Sequence, residues 1–277
     1  MNNIIRWGSV FAMVGLLLAG SPVFAQTIVG SQHDLTTGGS PQGGGTAATD
    51  EVCVFCHTPH GADITAPVPL WNKVLNSNEA RFTRYSTLAT PSFDSAEADV
   101  GSVSLACLSC HDGTQAMDVV INSPGSGGYN AAGSRIDGTL LGPMVGVPAG
   151  APIPALGEDL SNDHPISMQY AAGGCDVGDA DGICPGPLGD TDFELPVKAT
   201  INAQPIWWVD GNIGTVGTRE KTDMLLYSRP DLGTVQPFVE CGSCHDPHNS
   251  DDAAGTQVAF LRQTNAASAV CTACHSK

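Results

Sequence analysis

Four stretches of the chain repeat one arrangement of cysteine and histidine: CVFCH (Cys53, Cys56, His57), CLSCH (Cys107, Cys110, His111), CGSCH (Cys241, Cys244, His245) and CTACH (Cys271, Cys274, His275). With 10 cysteines and 8 histidines in 277 residues, chance predicts roughly 0.01 copies of Cys-x-x-Cys-His. Two thiols at this spacing can add across the two vinyl groups of a haem, and the histidine that follows then lies under the iron as its proximal ligand. Each copy is thus a signal for covalent attachment of haem c, four in all. Zinc is the competing reading, because paired cysteines and a histidine also build zinc ribbons. A histidine fixed directly after the second cysteine in all four copies weighs against it.

Beyond the proximal ligands His57, His111, His245 and His275, the chain has His33, His60, His164 and His248, one for each iron. These are the candidate distal ligands. His60 in CHTPH and His248 in CHDPH each follow a proximal histidine by three residues, and side chains three apart on one turn project to the same side. His60 is therefore expected to reach the iron of a haem other than that of His57, and His248 likewise, which forces haems into close pairs. Methionine is the competing axial ligand, with Met117, Met144, Met168 and Met224 available.

Two cysteines lie outside the motifs, Cys175 and Cys184 in GGCDVGDADGICPG. In an oxidising compartment they are expected to form a disulfide around a small loop. The DADG inside it suggests either part of a calcium loop or a plain acidic turn; Val177 stands where the first carboxylate of a calcium loop would be needed.

The elements that position these residues must come from an unusual chain. Its first 25 residues carry Arg6, an apolar run and small residues at Val23 and Ala25, the pattern of a secretory signal cleaved after Ala25. No later segment offers the roughly 20 apolar residues of a transmembrane helix, and the first cysteine, Cys53, is too far from the cleavage point to carry a lipid. Export is expected, to the cell surface or the extracellular space, with the periplasm as the alternative. Loss of Arg6 takes the net charge from -17 to -18, which excludes a nucleic-acid partner held by phosphate contacts and favours cationic or metal partners.

Gly (33) and Pro (19) make up nearly a fifth of the chain while aromatics are 6%, so loops should dominate. The expected fold class is mostly coil with short helices and a small β-hairpin, a multihaem cytochrome c organised around four covalent haems. Short helices are expected at 76–89 and leading into each motif; QPIWWVD (204–210) and TDMLLYS (222–228) read as a hairpin, with Trp207 and Trp208 as packing residues. Residues 26–115 form an N-terminal two-haem segment and 236–277 a C-terminal one. Each begins with a CHxPH copy and ends with a plain one, as a duplicated unit would. Between them, 116–235 holds His164, the Cys175/Cys184 loop and Gly/Pro-rich runs such as 121–134 and 142–157, read as loops or wrapping segments. The haems themselves should supply much of the core, so the chain is not expected to fold without them.

The ordered run SQHDL, VCVFCHTPHGA, PLWN, CLSCHDGT, SNDHPI, CGSCHDPHN and CTACH resembles the exported tetrahaem cytochromes with doubled CxxCH motifs that polymerise into extracellular conductive filaments, the OmcE-like type. The resemblance covers both ends of the mature chain and, in the middle, mainly SNDHPI. It implies closely stacked bis-histidine haems continued from subunit to subunit of a homopolymer, serving redox partner proteins or extracellular acceptors. It also implies that one distal histidine can come from a neighbouring subunit; His33, near the mature N-terminus on a tail free to reach out, is one candidate. The expected function is electron transfer without catalysis. The alternatives are a soluble periplasmic electron shuttle, a multihaem reductase with one open haem, and a haem or metal store.

Overall fold

The structure is a computed structural model, and it describes residues 28–36, 49–75, 78–91, 93–115, 117, 119–123, 155–211, 217–249 and 260–277. The expected signal segment, Met144 and most of the Gly/Pro-rich runs lie outside these residues.

The expectation of coil with one hairpin is wrong. The molecule is built on a six-stranded antiparallel sheet in the order β1-β6-β5-β4-β3-β2. Its strands are β1 Met168–Gln169, β2 Gly182–Ile183, β3 Val197–Ile201, β4 Gln204–Val209, β5 Met224–Arg229 and β6 Gln236–Val239. The expected hairpin is present as β4 and β5, paired Trp207 to Leu226, Trp208 to Leu225 and Val209 to Met224, but it is the centre of a larger sheet. β3 and β4 carry the β-branched and aromatic residues strands favour. They are joined by a two-residue turn, Asn202 and Ala203, both at positive φ (50° and 62°), the geometry that matches strand twist.

The sheet was missed because its outer strands are two residues long and because β6 begins Gln-Pro. Pro237 lacks a donor but sits in a strand buried along its whole length. That burial comes from tertiary packing, which local propensity does not encode.

The sheet positions the motifs directly. β6 runs into α2 (Cys241–Cys244), the third motif, and β1 follows His164 by four residues. α2 lies so close to β5 that a Cβ at Gly242 would come within 2.2 Å of the Tyr227 hydroxyl. The second motif closes α1 (Ser102–His111), and the fourth occupies α3 (Ala269–Thr272) and the turn after it. Instead of a helix over 76–89 there are two 3-10 turns, Glu79–Arg81 and Tyr85–Leu88. The backbone between them bonds across the fold, with Thr83 N donating to Glu158 O and Leu160 N to Thr83 O, both at 2.8 Å. Those cross-links take up groups a continuous helix would use internally.

Three apolar clusters make the core. The largest joins Trp207, Val209, Met224, Leu226 and the Cys175–Cys184 disulfide, with Cys244 and Cys274 packed against it. A second, of Leu35, Val54, Phe55 and Met117, contacts Cys56 and Cys110. A third packs α1 through Leu105 and Leu108 against Phe82, Val100 and Leu160.

Candidate haem-binding sites

In the first, third and fourth motifs the chain makes one turn, so that the histidine N–H donates to the carbonyl of the first cysteine: His57 to Cys53 at 2.8 Å, His245 to Cys241 at 3.0 Å and His275 to Cys271 at 3.0 Å. That turn brings both sulfurs and the imidazole to one place. Each of these histidines is also bridged by backbone to a distant residue, His57 to Trp71, His245 to Leu261 and His275 to Phe193. His111 instead ends α1, and its carbonyl accepts from Leu156 N at 2.8 Å.

The first and third motifs share a local architecture. Thr58 N donates to Leu70 O at 2.9 Å and Asn72 N to Cys56 O at 2.8 Å. In the third motif Asp246 N donates to Phe260 O and Arg262 N to Cys244 O, both at 2.8 Å. Leu70 and Phe260 therefore hold equivalent places, and both adopt positive φ (55° and 64°).

Three of the candidate distal histidines face a proximal one. Ring centroids of His57 and His248 lie 6.1 Å apart, those of His33 and His111 also 6.1 Å, and those of His164 and His275 6.4 Å. Two imidazole nitrogens each about 2 Å from one metal, the usual metal–imidazole length, with roughly 1.1 Å from nitrogen to ring centre, put centroids about 6 Å apart. The residues present thus fit an axially ligated haem iron between each pair. These pairs bring together three proximal and three distal candidates. His60 is exposed, and its carbonyl accepts from Thr58 Oγ1 at 3.0 Å and Asn122 Nδ2 at 2.7 Å.

Neighbouring groups orient these rings. His57 Nδ1 donates to Pro69 O at 2.7 Å, which leaves the other ring nitrogen to face a metal. His33 does not sit on a free tail. Its ring stacks on Phe260 at 4.1 Å, and Asp34, accepting from Gly30 N at 2.8 Å, ties down the turn that carries it. Burial, reinforced by His111 beside it, lowers the His33 imidazole to about 4. Burial and then His164 lower His275. Both therefore favour the neutral, metal-ligating form.

The motif sulfurs neighbour one another in chain order. Burial pushes the Cys56 thiol up to about 12, with Cys110 adding to the effect. The Cys107 thiol hydrogen-bonds Cys241 and is raised by that bond and by burial. Burial, and then Cys244 beside it, push Cys274 up to about 12. The second and third motifs are joined by a buried polar cluster absent from the sequence reading. Glu240 accepts from Arg229 at 2.8 Å, Ser104 and Ser167, while Cys241 N donates to Ser104 Oγ at 3.0 Å. Ser104 lies one turn before Cys107 on α1, so the cluster ties the two attachment helices together.

Cys175 and Cys184 are disulfide-bonded. In the acidic loop between them, Lys198 Nζ donates to Asp179 O at 2.8 Å and Asp181 Oδ1 at 3.2 Å, and Thr200 N to Asp181 Oδ2 at 2.9 Å. Lys198 thus sets an ammonium against this loop. Met117, Met168 and Met224 are buried.

Sequence reasoning passed over Phe260, Ser104, Arg229 and Glu240. Only Phe260 left a trace, the recurrence of an apolar residue at the place Leu70 holds after the first motif. Among the described residues no helix is long and apolar enough to cross a membrane. Residues 236–277 match the family model of the doubled CXXCH motif. No curated protein matches the chain. With the four Cys-x-x-Cys-His copies, this match supports a multihaem c-type cytochrome that binds haem c covalently.

Proposed function

We propose that the chain is an exported electron-transfer protein that carries electrons through four bis-histidine haems c as the subunit of an extracellular filament. The observation that carries the haem ligation is the spacing of the three histidine pairs at 6.1, 6.1 and 6.4 Å. When bound, haem with two axial histidines supplies one-electron exchange and has no coordination position open to a substrate.

The protein's part is placement. In this reading His57 with His248, His111 with His33 and His275 with His164 would each hold one iron, and His60, on the matching CHxPH copy, would serve the iron of His245. That last pairing is the mirror image of the first, one CHxPH copy supplying the other. Pairs exchanged between motifs keep the haems close, and the sulfur neighbours support the order first, second, third, fourth motif. The homopolymer, the surface location and the service to external acceptors rest on the resemblance in motif order.

Two measurements test the proposal. A pyridine haemochrome assay should give four haems c per chain, and the reduced protein should fail to bind carbon monoxide rapidly; fast stoichiometric binding to one haem would point to a reductase. Negative-stain images of protein sheared from cells should show filaments, and monodisperse particles alone would rule out polymerisation.

A further inference from the structure

A lysine is seldom fully buried, because its ammonium gives up hydration that other groups must replace. Lys73 is 0% exposed, and its Nζ donates to Met117 O at 3.0 Å and Val119 O at 2.8 Å. Both of these acceptors are neutral carbonyls, so the two bonds fix the ammonium in place and leave its charge whole. The position lies between the first two motifs. Asn72 N ties the preceding residue to Cys56 O at 2.8 Å, and Met117 belongs to the apolar cluster that contacts Cys56 and Cys110. Burial raises both thiols, with Cys110 adding to the rise at Cys56, and Lys73 opposes the rise at each. One charge thus reaches the sulfurs of two motifs.

The third motif shows what this place needs for structure alone. The bond from Asn72 N to Cys56 O is matched there by Arg262 N to Cys244 O, so Gln263 holds the place of Lys73. Gln263 is 4% exposed, and its Nε2 donates to Thr222 O at 2.6 Å. A neutral amide therefore fills the equivalent buried position with the same kind of bond. The cation beside it, Arg262, faces Asp246 at 3.7 Å.

We infer, on the haem reading of the motifs, that Lys73 sets redox potential: its buried ammonium raises the reduction potentials of the haems carried by the first and second motifs. A haem iron gains one positive charge on oxidation, and a fixed cation beside it disfavours that state. A unit charge about 12 Å from a redox centre, at an effective dielectric constant of about 20, shifts the reduction equilibrium roughly tenfold, or about 59 mV for one electron. Burial protects the effect from screening by salt. The N-terminal pair of haems thereby holds electrons more firmly than the same ligands alone would.

The test is a potentiometric titration of intact holoprotein, with haem c counted first by the pyridine haemochrome. Lys73→Gln, which places the residue of the third motif in the first, should lower two of the four potentials by about that tenfold step and leave the other two in place. Lys73→Arg keeps the charge and should keep all four potentials near those of the parent. Where the Gln variant fails to fold, Lys73→Met supplies the same charge-free reading. Unchanged potentials in the charge-free variant, a fall of all four together, or an equal fall in the Arg variant would overturn the inference with the haem reading intact. A sample without haem c would overturn both.

Discussion

His57 closes the first motif and His248 trails the third, yet their ring centres lie 6.1 Å apart. On the proposed ligation, a ligand set shared between motifs whose first cysteines lie 188 residues apart leaves neither two-haem segment complete alone. His248→Ala should open the haem of His57 to carbon monoxide, and His60→Ala should open a different one. The double variant should therefore take up about two equivalents per chain in its carbon monoxide difference spectrum. Uptake of one equivalent by the double variant would mean that both histidines serve the same iron.

The motif chemistry was legible in the sequence because covalent haem attachment needs fixed residues at fixed spacing: the cysteines, the proximal histidines and the matched CHxPH copies stand out without any fold. The face argument directed His60 and His248 away from the irons of their own motifs, and the structure sets the His248 ring beside that of His57. A free tail is the natural expectation for His33 from sequence, because one part of its seat, the Phe260 ring, comes from more than 200 positions away, while the Asp34 turn beside it is local. The sheet was hidden for a related reason. β1 gains its place by pairing Met168 with Val239 and Gln169 with Phe238, and a two-residue strand has no periodicity to read.

Arg229 and Glu240 form a buried ion pair at 2.8 Å beneath the second and third motifs. Burial raises the Glu240 carboxyl above its ordinary value even with Arg229 and two serines bonded to it. Arg229→Met removes the one cation bonded to it among the described residues, which should cost about 3–5 kcal/mol in denaturant unfolding of the holoprotein. Adding Glu240→Gln to that variant should recover part of the loss, since the uncompensated charge disappears.

The Cys175–Cys184 bond closes a short loop against the largest apolar cluster. Its removal by a double Ser substitution should cost about 2–3 kcal/mol, chiefly through the freedom returned to the unfolded chain. Haem content and the spectrum of the haems should be unchanged, because none of the four motifs uses either cysteine. Calorimetry and the haemochrome assay on one sample separate the two effects.

Hydrogen bonds from the Thr200 backbone, its hydroxyl and Lys198 hold Asp181 below its ordinary 3.8, and the Arg229 hydrogen bond does the same for Asp231. A carboxyl whose folded value is depressed adds stability that is fully present above its unfolded value and is lost as pH falls through the folded one. Unfolding midpoints should therefore stay flat above pH 3.8 as far as these groups are concerned and fall below it. Asp181→Asn should lower stability at neutral pH and flatten the acid limb, as followed by circular dichroism.

Leu70 and Phe260 offer a matched pair of substitutions. Both occupy the left-handed region, at φ of 55° and 64°, at equivalent places after the first and third motifs. That conformation costs an L residue about 1–2 kcal/mol, which glycine avoids. Leu70 is half exposed, so Leu70→Gly should raise stability by up to about 1 kcal/mol. Phe260→Gly relieves the same backbone but removes the ring on which His33 stacks at 4.1 Å. It should therefore destabilise the protein and loosen the His33 ligand, making the haem of His111 reactive to carbon monoxide while Leu70→Gly leaves all four closed. Equal effects of the two glycines would mean that Phe260 serves only the turn.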